Sequence, residues 1–174
     1  KTPDQWSATD AAAMQPLIDA GSDFNIFRTM LQHPDLMRRW LAFGNHVLFK
    51  STLGAREREL VILRIGYLCK AGYEWSQHVV IARRVGLDDA GIASAQSGAD
   101  TPGIPELDSL LLKATDELHQ DAFISDPTWS ALSAHLSREQ LMDLVFAVGQ
   151  YNLVSMALNT FGVQLDEGLK DWEI

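Results

Sequence analysis

Residues 56–87 read RERELVILRIGYLCKAGYEWSQHVVIARRVGL and carry the clearest structural pattern in the chain. It opens with charged residues and then becomes apolar on nearly every side, which is typical of a helix buried in a core. A turn near Gly72 follows, and Gly86 stands where a left-handed residue would end a second helix. The pattern therefore predicts two helices, over residues 55–70 and 73–85, which a tight turn forces to run antiparallel.

Most of the remaining sequence also predicts helices. The glycine- and proline-rich stretch QSGADTPGIP, residues 96–105, predicts a loop between two halves of one domain. No run alternates convincingly between apolar and polar residues, so the predicted fold class is all-α, with a single domain over residues 1–174. The other predicted helices cover residues 10–20, 24–32, 34–50 and 106–121. Two shorter helices begin at capping signals, one at Asp88 and one with Asp126 as N-cap and Pro127 at its first position. A long helix runs from Ser137, which forms a capping box with Gln140, to near Gly162.

Charge and cysteine content indicate which kinds of molecule the protein binds and in which cellular compartment it is expected. The chain carries 14 basic and 23 acidic residues, a net charge of −9, and an acidic surface repels nucleic acid and anionic lipid. No apolar run reaches the roughly 18 to 20 residues that span a bilayer, and the first ten residues contain no signal-peptide core. The single cysteine, Cys69, excludes an internal disulfide. We therefore expect a cytoplasmic protein that binds neither nucleic acid nor membrane.

The candidate chemistry lies in the predicted hairpin. Glu74 and His78 are four residues apart, so they share one face of a helix, where a carboxylate and an imidazole can exchange a proton. The carboxylate favours the imidazolium while burial opposes both charges, which predicts a pair balanced near neutral pH. Glu59, on the preceding helix, approaches the same place if the hairpin is antiparallel. A purely structural hydrogen-bonded pair is the alternative interpretation.

Three further polar residues are candidates for binding a substrate. Arg56 has the chemistry to hold a carboxylate in bidentate fashion, although an arginine at a helix start more often forms a salt bridge. Asn45 and His46 either face a pocket or form a polar helix surface.

Three aromatic residues are candidates for a pocket wall. Tyr73 and Trp75 flank the Glu74–His78 pair, with core packing as the alternative, and Tyr151 interrupts an apolar helix from which it can reach the site. The five histidines show no paired metal-ligand spacing, and one cysteine makes no zinc pattern, so no metal site is expected. Without a glycine-rich phosphate loop, no nucleotide cofactor is expected either.

Two segments carry a family resemblance. ERELVILRIGYLC followed by YEWSQH resembles the central helical hairpin of the carboxymuconolactone decarboxylase/AhpD-like superfamily, and LSREQLMDLVFAVGQYNLVSMALNTFGV resembles the long helix that follows it there. The resemblance covers residues 43–163 and implies an AhpD-like helical domain with a central antiparallel hairpin. It also implies a homo-oligomer, a trimer or hexamer, whose interface would suit the aromatic residues Trp6, Trp40, Trp129 and Trp172.

The AhpD branch carries a glutamate, eleven residues, a cysteine, two residues, a second cysteine, three residues and a histidine. Aligned on His78, this signature places its glutamate on Glu59 and its cysteines on Ala71 and Glu74. Both thiols are therefore replaced, which excludes dithiol peroxidase chemistry, because that chemistry needs a nucleophilic and a resolving sulfur. Cys69 lies outside the register and is expected to be a small buried hydrophobe.

The decarboxylase branch is similar in carrying YEW-x-x-H without a cysteine pair. The resemblance implies cofactor-free proton transfer on a small ring-derived organic acid or lactone, by a lyase or isomerase. His78 would be the main acid/base, Glu74 would orient it or share its proton, and Glu59 would be a second carboxylate in the relay. The alternative is a non-catalytic ligand-binding or assembly protein. A deep pocket bordered by His78, Glu74 and a cation favours the enzyme, whereas a collapsed pocket with His78 fully paired favours the alternative.

Overall fold

Helices are the only regular elements in residues 2–172 and 174, which the computed structural model describes. A short 3-10 helix, Pro3–Gln5, precedes nine α-helices. They are α1 Ala8–Asp19, α2 Asn25–Met30, α3 Pro34–Phe49, α4 Ala55–Leu68, α5 Gly72–Arg84, α6 Asp89–Ser97, α7 Glu106–Asp121, α8 Asp126–Leu132 and α9 Arg138–Phe161. The all-α fold predicted from the sequence is confirmed.

Helix α4 is the centre of the molecule and forms an antiparallel hairpin with α5. It packs against α5, α6, α7 and α9, and every residue from Arg58 to Gly66 is buried. The chain reverses between the two helices at Lys70, which adopts the left-handed conformation with φ of 52°. Gly72 is instead the first residue of α5, so the predicted turn lies two residues earlier than expected.

Local capping signals explain where most helices begin and end. The Asp88 side chain accepts a hydrogen bond from the Gly91 backbone nitrogen at 2.8 Å, and Ser137 forms the predicted capping box at the start of α9. Gly86 and Gly162 have the positive φ angles that end α5 and α9, which a residue with a Cβ adopts only at a cost. Near Asp126 the prediction is one residue off, because Ser125 is the N-cap and Asp126 opens α8.

Two separate hydrophobic clusters stabilise the fold. The large cluster consists of buried side chains of α4, such as Leu63, together with side chains of α5, α7 and α9, such as Leu144. The small cluster consists of Met14, Leu31 and Met37, from α1, the end of α2 and α3. A cavity of about 580 Å³ lies between side chains of the two clusters.

The last helix, α9, has 24 residues and is long and apolar enough, by length and composition alone, to cross a membrane. It is not an unbroken apolar run, because Asp143, Gln150 and Asn152 interrupt it. Half of the apolar window is buried inside the molecule, however, and the core helix of a globular protein passes the same test. The criterion is thus weak evidence for a membrane span.

Candidate functional site

The floor of the cavity is a group of buried ionisable side chains from the hairpin. His78 Nδ1 lies 2.6 Å from Glu59 Oε2, and His78 Nε2 lies 2.9 Å from Glu74 Oε1. The Glu59 carboxylate is fully buried, while Glu74 and His78 are 3% and 6% exposed. The imidazole is thus held between two carboxylates, one from each helix of the hairpin.

Those two carboxylates differ in how strongly they are bound. Glu59 Oε1 accepts hydrogen bonds from the Nε and Nη2 atoms of Arg58, at 3.3 and 3.2 Å, while Oε2 contacts the imidazole. Glu74 Oε1 is close to the imidazole, but the contact lacks hydrogen-bond geometry, and this oxygen is buried without a hydrogen-bond partner in the described chain. Glu59 does not line the cavity, whereas Glu74 and His78 do. Glu74 is therefore the carboxylate that remains available to a ligand.

The charges of this group decide the protonation of His78. Burial lowers the pKa of the imidazole, but the negative charges of Glu59 and Glu74 and their contacts to it outweigh burial and raise the pKa to about 10. At neutral pH His78 is therefore an imidazolium, and the expectation of a pair balanced near neutral pH is wrong. Two cations, Arg58 and His78, then face two carboxylates, so the buried charges compensate one another.

A tyrosine from α9 completes the floor. The Tyr151 ring meets the His78 ring edge-on, with 4.9 Å between centroids. Burial raises the pKa of Tyr151 well above its usual value, and the charges of Glu74 and Glu59 raise it further. Tyr151 therefore keeps its proton and remains a hydrogen-bond donor that lines the cavity.

The rest of the cavity wall is mainly apolar and comes largely from the N-terminal helices. It accepts apolar surface and offers few polar groups, as small-molecule sites usually do. Its apolar side chains include Phe24, Phe27, Trp40, Leu41, Ile81 and Val154.

The C-terminal segment closes one edge of the cavity. The Asp166 carboxylate accepts hydrogen bonds from the Tyr73 hydroxyl at 2.5 Å, the Gln77 amide at 2.7 Å and the Asn25 backbone nitrogen at 2.8 Å. Leu169, three residues further on, lines the cavity. Burial and the bond to Asp166 raise the pKa of Tyr73, so its hydroxyl stays protonated and engaged, and only its ring is available to a ligand.

Among the predicted substrate-binding residues, the structure places Asn45, Tyr73 and Tyr151 in the cavity wall but not Arg56, His46 or Trp75. Arg56 is instead paired with Asp108, whose two carboxylate oxygens each accept a hydrogen bond of 2.7 Å from the Arg56 guanidinium.

The two other exceptions have simple physical causes. The His46 side chain is 55% exposed and lies 3.9 Å from Asp143, on the outside of α3. Trp75 is fully buried in the large cluster, where its ring contacts Tyr67 and Trp172. Helix spacing alone does not separate a core-facing aromatic residue from one that faces a cavity.

Sequence reasoning missed several cavity residues. Arg58 belongs to the charged start of α4, and its adjacency to Glu59 is the one sequence signal that points to the site. Trp40 was assigned to an interface but lines the cavity, and Trp172 packs on Trp75. Arg84, at the end of α5, also lines the cavity and carried no signal that distinguished it from Arg83.

Neither thiol nor metal chemistry gains support from the described residues. The Cys69 sulfur lies 3.1 Å from the Asn152 side-chain oxygen, and burial raises the pKa of the thiol, which opposes a reactive thiolate. Among residues 2–172 and 174, no group of three or more His, Cys, Asp or Glu side chains is arranged to hold a metal ion.

Comparisons with known proteins agree with this fold and hairpin. The model of the carboxymuconolactone decarboxylase family matches residues 34–117, whereas no curated protein matches the chain. The AhpD-core, peroxidase-related protein of Ralstonia eutropha is 18% identical, with a TM-score of 0.79 over 91% of this chain and 85% of that one. A putative antioxidant defence protein AhpD of Agrobacterium tumefaciens is 23% identical, with a TM-score of 0.73 over 79% and 94%.

A third similar structure contains a bound ligand. It is the debrominase Bmp8, a cysteine-to-alanine variant in complex with 2,3,4-tribromopyrrole, which is 15% identical, with a TM-score of 0.74 over 93% of this chain and 90% of that one. At such low identities these structures establish the fold, while the family match covers the hairpin that carries Glu59, Glu74 and His78. Residues 34–117 thus match the carboxymuconolactone decarboxylase family, and the chain has the AhpD-like fold.

Proposed function

We propose that this protein is a cofactor-independent lyase or isomerase that transfers protons on a small organic acid or lactone. One observation carries the proposal: the His78 imidazole lies between two carboxylates at the floor of an otherwise mainly apolar cavity of about 580 Å³. Apolar walls strengthen the interactions of a few charged groups with a bound molecule, and ring-derived acids have the matching mixture of apolar and polar surface.

His78 is suited to act as the proton donor. In a decarboxylation, the C–C bond to the leaving carboxylate breaks and carbon dioxide departs, while the electron pair remains on the ring and its conjugated carbonyl. The imidazolium then transfers its Nε2 proton to that carbon, and the imidazole regains a proton from solvent. No oxidant or reductant is consumed, and the required imidazolium exists at neutral pH because the pKa is raised to about 10.

Glu74 is suited to act as the proton acceptor in an isomerisation. Its carboxylate takes a proton from the carbon next to the substrate carbonyl, and the electron pair of that C–H bond moves to the carbonyl oxygen. His78 supplies a proton at a second carbon, which moves the double bond. Glu74 fits this role better than Glu59, since Glu59 lies behind the imidazole and is held by Arg58.

Three neighbours support the proton transfer. Arg58 and the Tyr151 hydroxyl line the cavity beside the His78 ring and can stabilise negative charge that develops on the substrate carbonyl. Glu59 is a positioning residue: its contact with Nδ1 orients the ring so that Nε2 is the atom close to Glu74. No bound metal or nucleotide is required for any of these roles.

The test is the His78→Gln variant, assayed with ring-derived lactones and unsaturated diacids as the first substrate panel. Turnover should fall by roughly a hundredfold or more, because one general acid–base group contributes on that scale, and KM should change less. Glu74→Gln should also slow turnover, and His119→Gln on α7, outside the cavity lining, is the matched control. An active substrate whose turnover survives His78→Gln would refute the assignment.

A ligand-binding protein without turnover is the second candidate, and one observation favours it. Both ring nitrogens of His78 already face carboxylates, as in a purely structural histidine. The open cavity is compatible with both candidates, so turnover is what distinguishes them. Binding of panel compounds without conversion of any of them would support this second candidate over the enzyme.

A further inference from the structure

The cavity has a second charged position, far from the His78 floor. Arg84 lines the cavity at the C-terminal end of α5, where its side chain is exposed. Within residues 2–172 and 174 it takes part in no hydrogen bond or ion pair. Its neighbour Arg83 instead pairs with Asp89 at 2.8 Å and does not line the cavity. The chain has 23 acidic residues, yet Arg84, the arginine that lines the cavity, pairs with none of those in the described residues.

The spacing along α5 separates the two charged positions. His78 and Arg84 are six positions apart, which is roughly 9 Å along a helix that rises 1.5 Å per residue. The wall between them includes Val80 and Ile81, which are apolar. A ligand that reaches both positions therefore has an apolar body of about that length, with its charge at one end.

We propose that Arg84 is the anion-binding residue of this cavity and that the ligand is an extended, amphipathic carboxylic acid. Its carboxylate pairs with the Arg84 guanidinium at the mouth, and its apolar body lies along Val80 and Ile81 toward the floor. A guanidinium binds a carboxylate through two parallel hydrogen bonds, which fixes the direction in which such an acid enters. Arg56, predicted from the sequence for this task, is already engaged by Asp108.

Arg58 is less suited to the same role. It is buried, and two of its guanidinium nitrogens are bonded to Glu59 beside the imidazole. A carboxylate bound by Arg58 would have to displace Glu59 from the guanidinium. The mouth has no comparable obstacle, because the other charged side chains that line the cavity, Arg58, Glu74 and His78, all belong to the floor.

The inference rests on the proposed function only for the chemistry at His78. Binding of the anion at Arg84 can be measured without turnover. The probes are octanoate and its neutral counterpart 1-octanol, titrated by calorimetry into the full chain. Octanoate should bind more tightly than octanol. Arg84→Gln should weaken octanoate binding about tenfold, the scale of one lost charge-assisted pair, and leave octanol binding unchanged.

Arg83→Gln is the matched control, since it removes the same charge from the same last turn of α5 but outside the cavity. It should leave both affinities unchanged, and Arg84→Lys, which keeps the charge but loses the bidentate geometry, should bind octanoate with intermediate affinity. Circular dichroism checks that each variant is folded. If Arg84→Gln does not fold, the affinity of Arg84→Lys for octanoate is the test.

Equal octanoate affinity in Arg84→Gln and the unchanged protein would overturn the inference. So would an equal loss in Arg83→Gln, which would indicate general surface charge, or failure of the unchanged protein to bind millimolar octanoate. If octanoate binding depends on Arg84 but no substrate is turned over, the anion site stands and the proposed enzyme does not. If turnover depends on His78 while Arg84→Gln has no effect, the reverse holds.

Discussion

The large cluster around α4 and the small cluster of Met14, Leu31 and Met37 meet at the cavity but contribute different things to it. Helices of the large cluster carry the ionisable groups Glu74 and His78, whose positions are fixed by mutual contacts. Helices of the small cluster add mostly apolar wall and pack less extensively than those around α4. Chemistry that needs accurate geometry therefore lies on the densely packed side, while the shape of the binding space comes from the side that is easier to rearrange.

The largest expected effect compares one buried leucine in each cluster. Leu63→Ala should lower the free energy of unfolding by about 3 kcal/mol, since a buried leucine leaves a cavity when it is truncated. Leu31→Ala, equally buried, should mainly open α1 and α2. Thermal unfolding and amide hydrogen exchange distinguish the two, because only Leu63→Ala should weaken protection of α4. Equal loss of protection in α4 for both variants would show that the clusters unfold as one unit.

The second prediction concerns pH and the charged floor of the large cluster. The folded state raises the pKa of His78 from 6.5 to about 10, so its contribution to stability is fully present below pH 6.5 and is lost as the pH rises through 10. Chemical denaturation between pH 6 and pH 10 should show this decline in the unchanged protein and a shallower one in His78→Gln. Parallel curves would mean that the imidazole is not held as a cation by Glu59 and Glu74.

The third prediction tests the apolar side of the cavity. Phe27→Ala removes wall from the small-cluster side and should weaken octanoate binding about tenfold, in keeping with the loss of one buried aromatic contact. Phe161→Ala, at the exposed end of α9 and outside the cavity, is the control. If Phe27→Ala leaves the affinity unchanged, the ligand does not occupy the part of the cavity formed by α2.

The fourth prediction concerns an apolar surface that neither cluster covers. Met142, Phe146, Leu153 and Met156 form a stripe along α9 in which each side chain is more than half exposed. Copies that each carry a net charge of −9 can approach most closely through such an uncharged face, so we propose that a second copy packs there.

Light scattering should then give at least twice the monomer mass of 19.3 kDa, and Phe146→Glu should restore the monomer mass. Leu36→Glu, at an exposed position in the first turn of α3, should leave the mass unchanged. A monomer at micromolar concentration in the unchanged protein would contradict this proposal, as would an assembly that survives Phe146→Glu.

The smallest effect is expected at Cys69, in the turn between the helices of the hairpin. Cys69→Ala should keep any turnover within a few-fold, since the thiol has no partner cysteine and its pKa is raised by burial. Circular dichroism separates a loss of fold from a loss of activity. A folded but inactive Cys69→Ala protein would bring thiol chemistry back into consideration.

The sequence was a good guide wherever local physics decides the outcome. Helix periodicity, Asp88, Ser137, Gly86 and Gly162 defined most helix ends, because capping and left-handed conformations depend on neighbouring residues only. The register of the hairpin was also sufficient to bring Glu59, Glu74 and His78 together, since two helices joined by a tight turn have few ways to pack.

Features that depend on distant residues required the tertiary structure. Arg56 and Arg84 are similar in the sequence, yet one is paired with Asp108, 52 positions away, and the other is left at the mouth of the cavity. The imidazolium state of His78 likewise results from burial combined with two carboxylates on different helices, and no local pattern gives the strength of that combination. Local patterns along the chain thus predict the helices, the hairpin and the candidate acid–base residues. The partners of these residues, the protonation state of His78 and the shape of the cavity arise from contacts between residues far apart in the chain, which are brought together only when the chain folds.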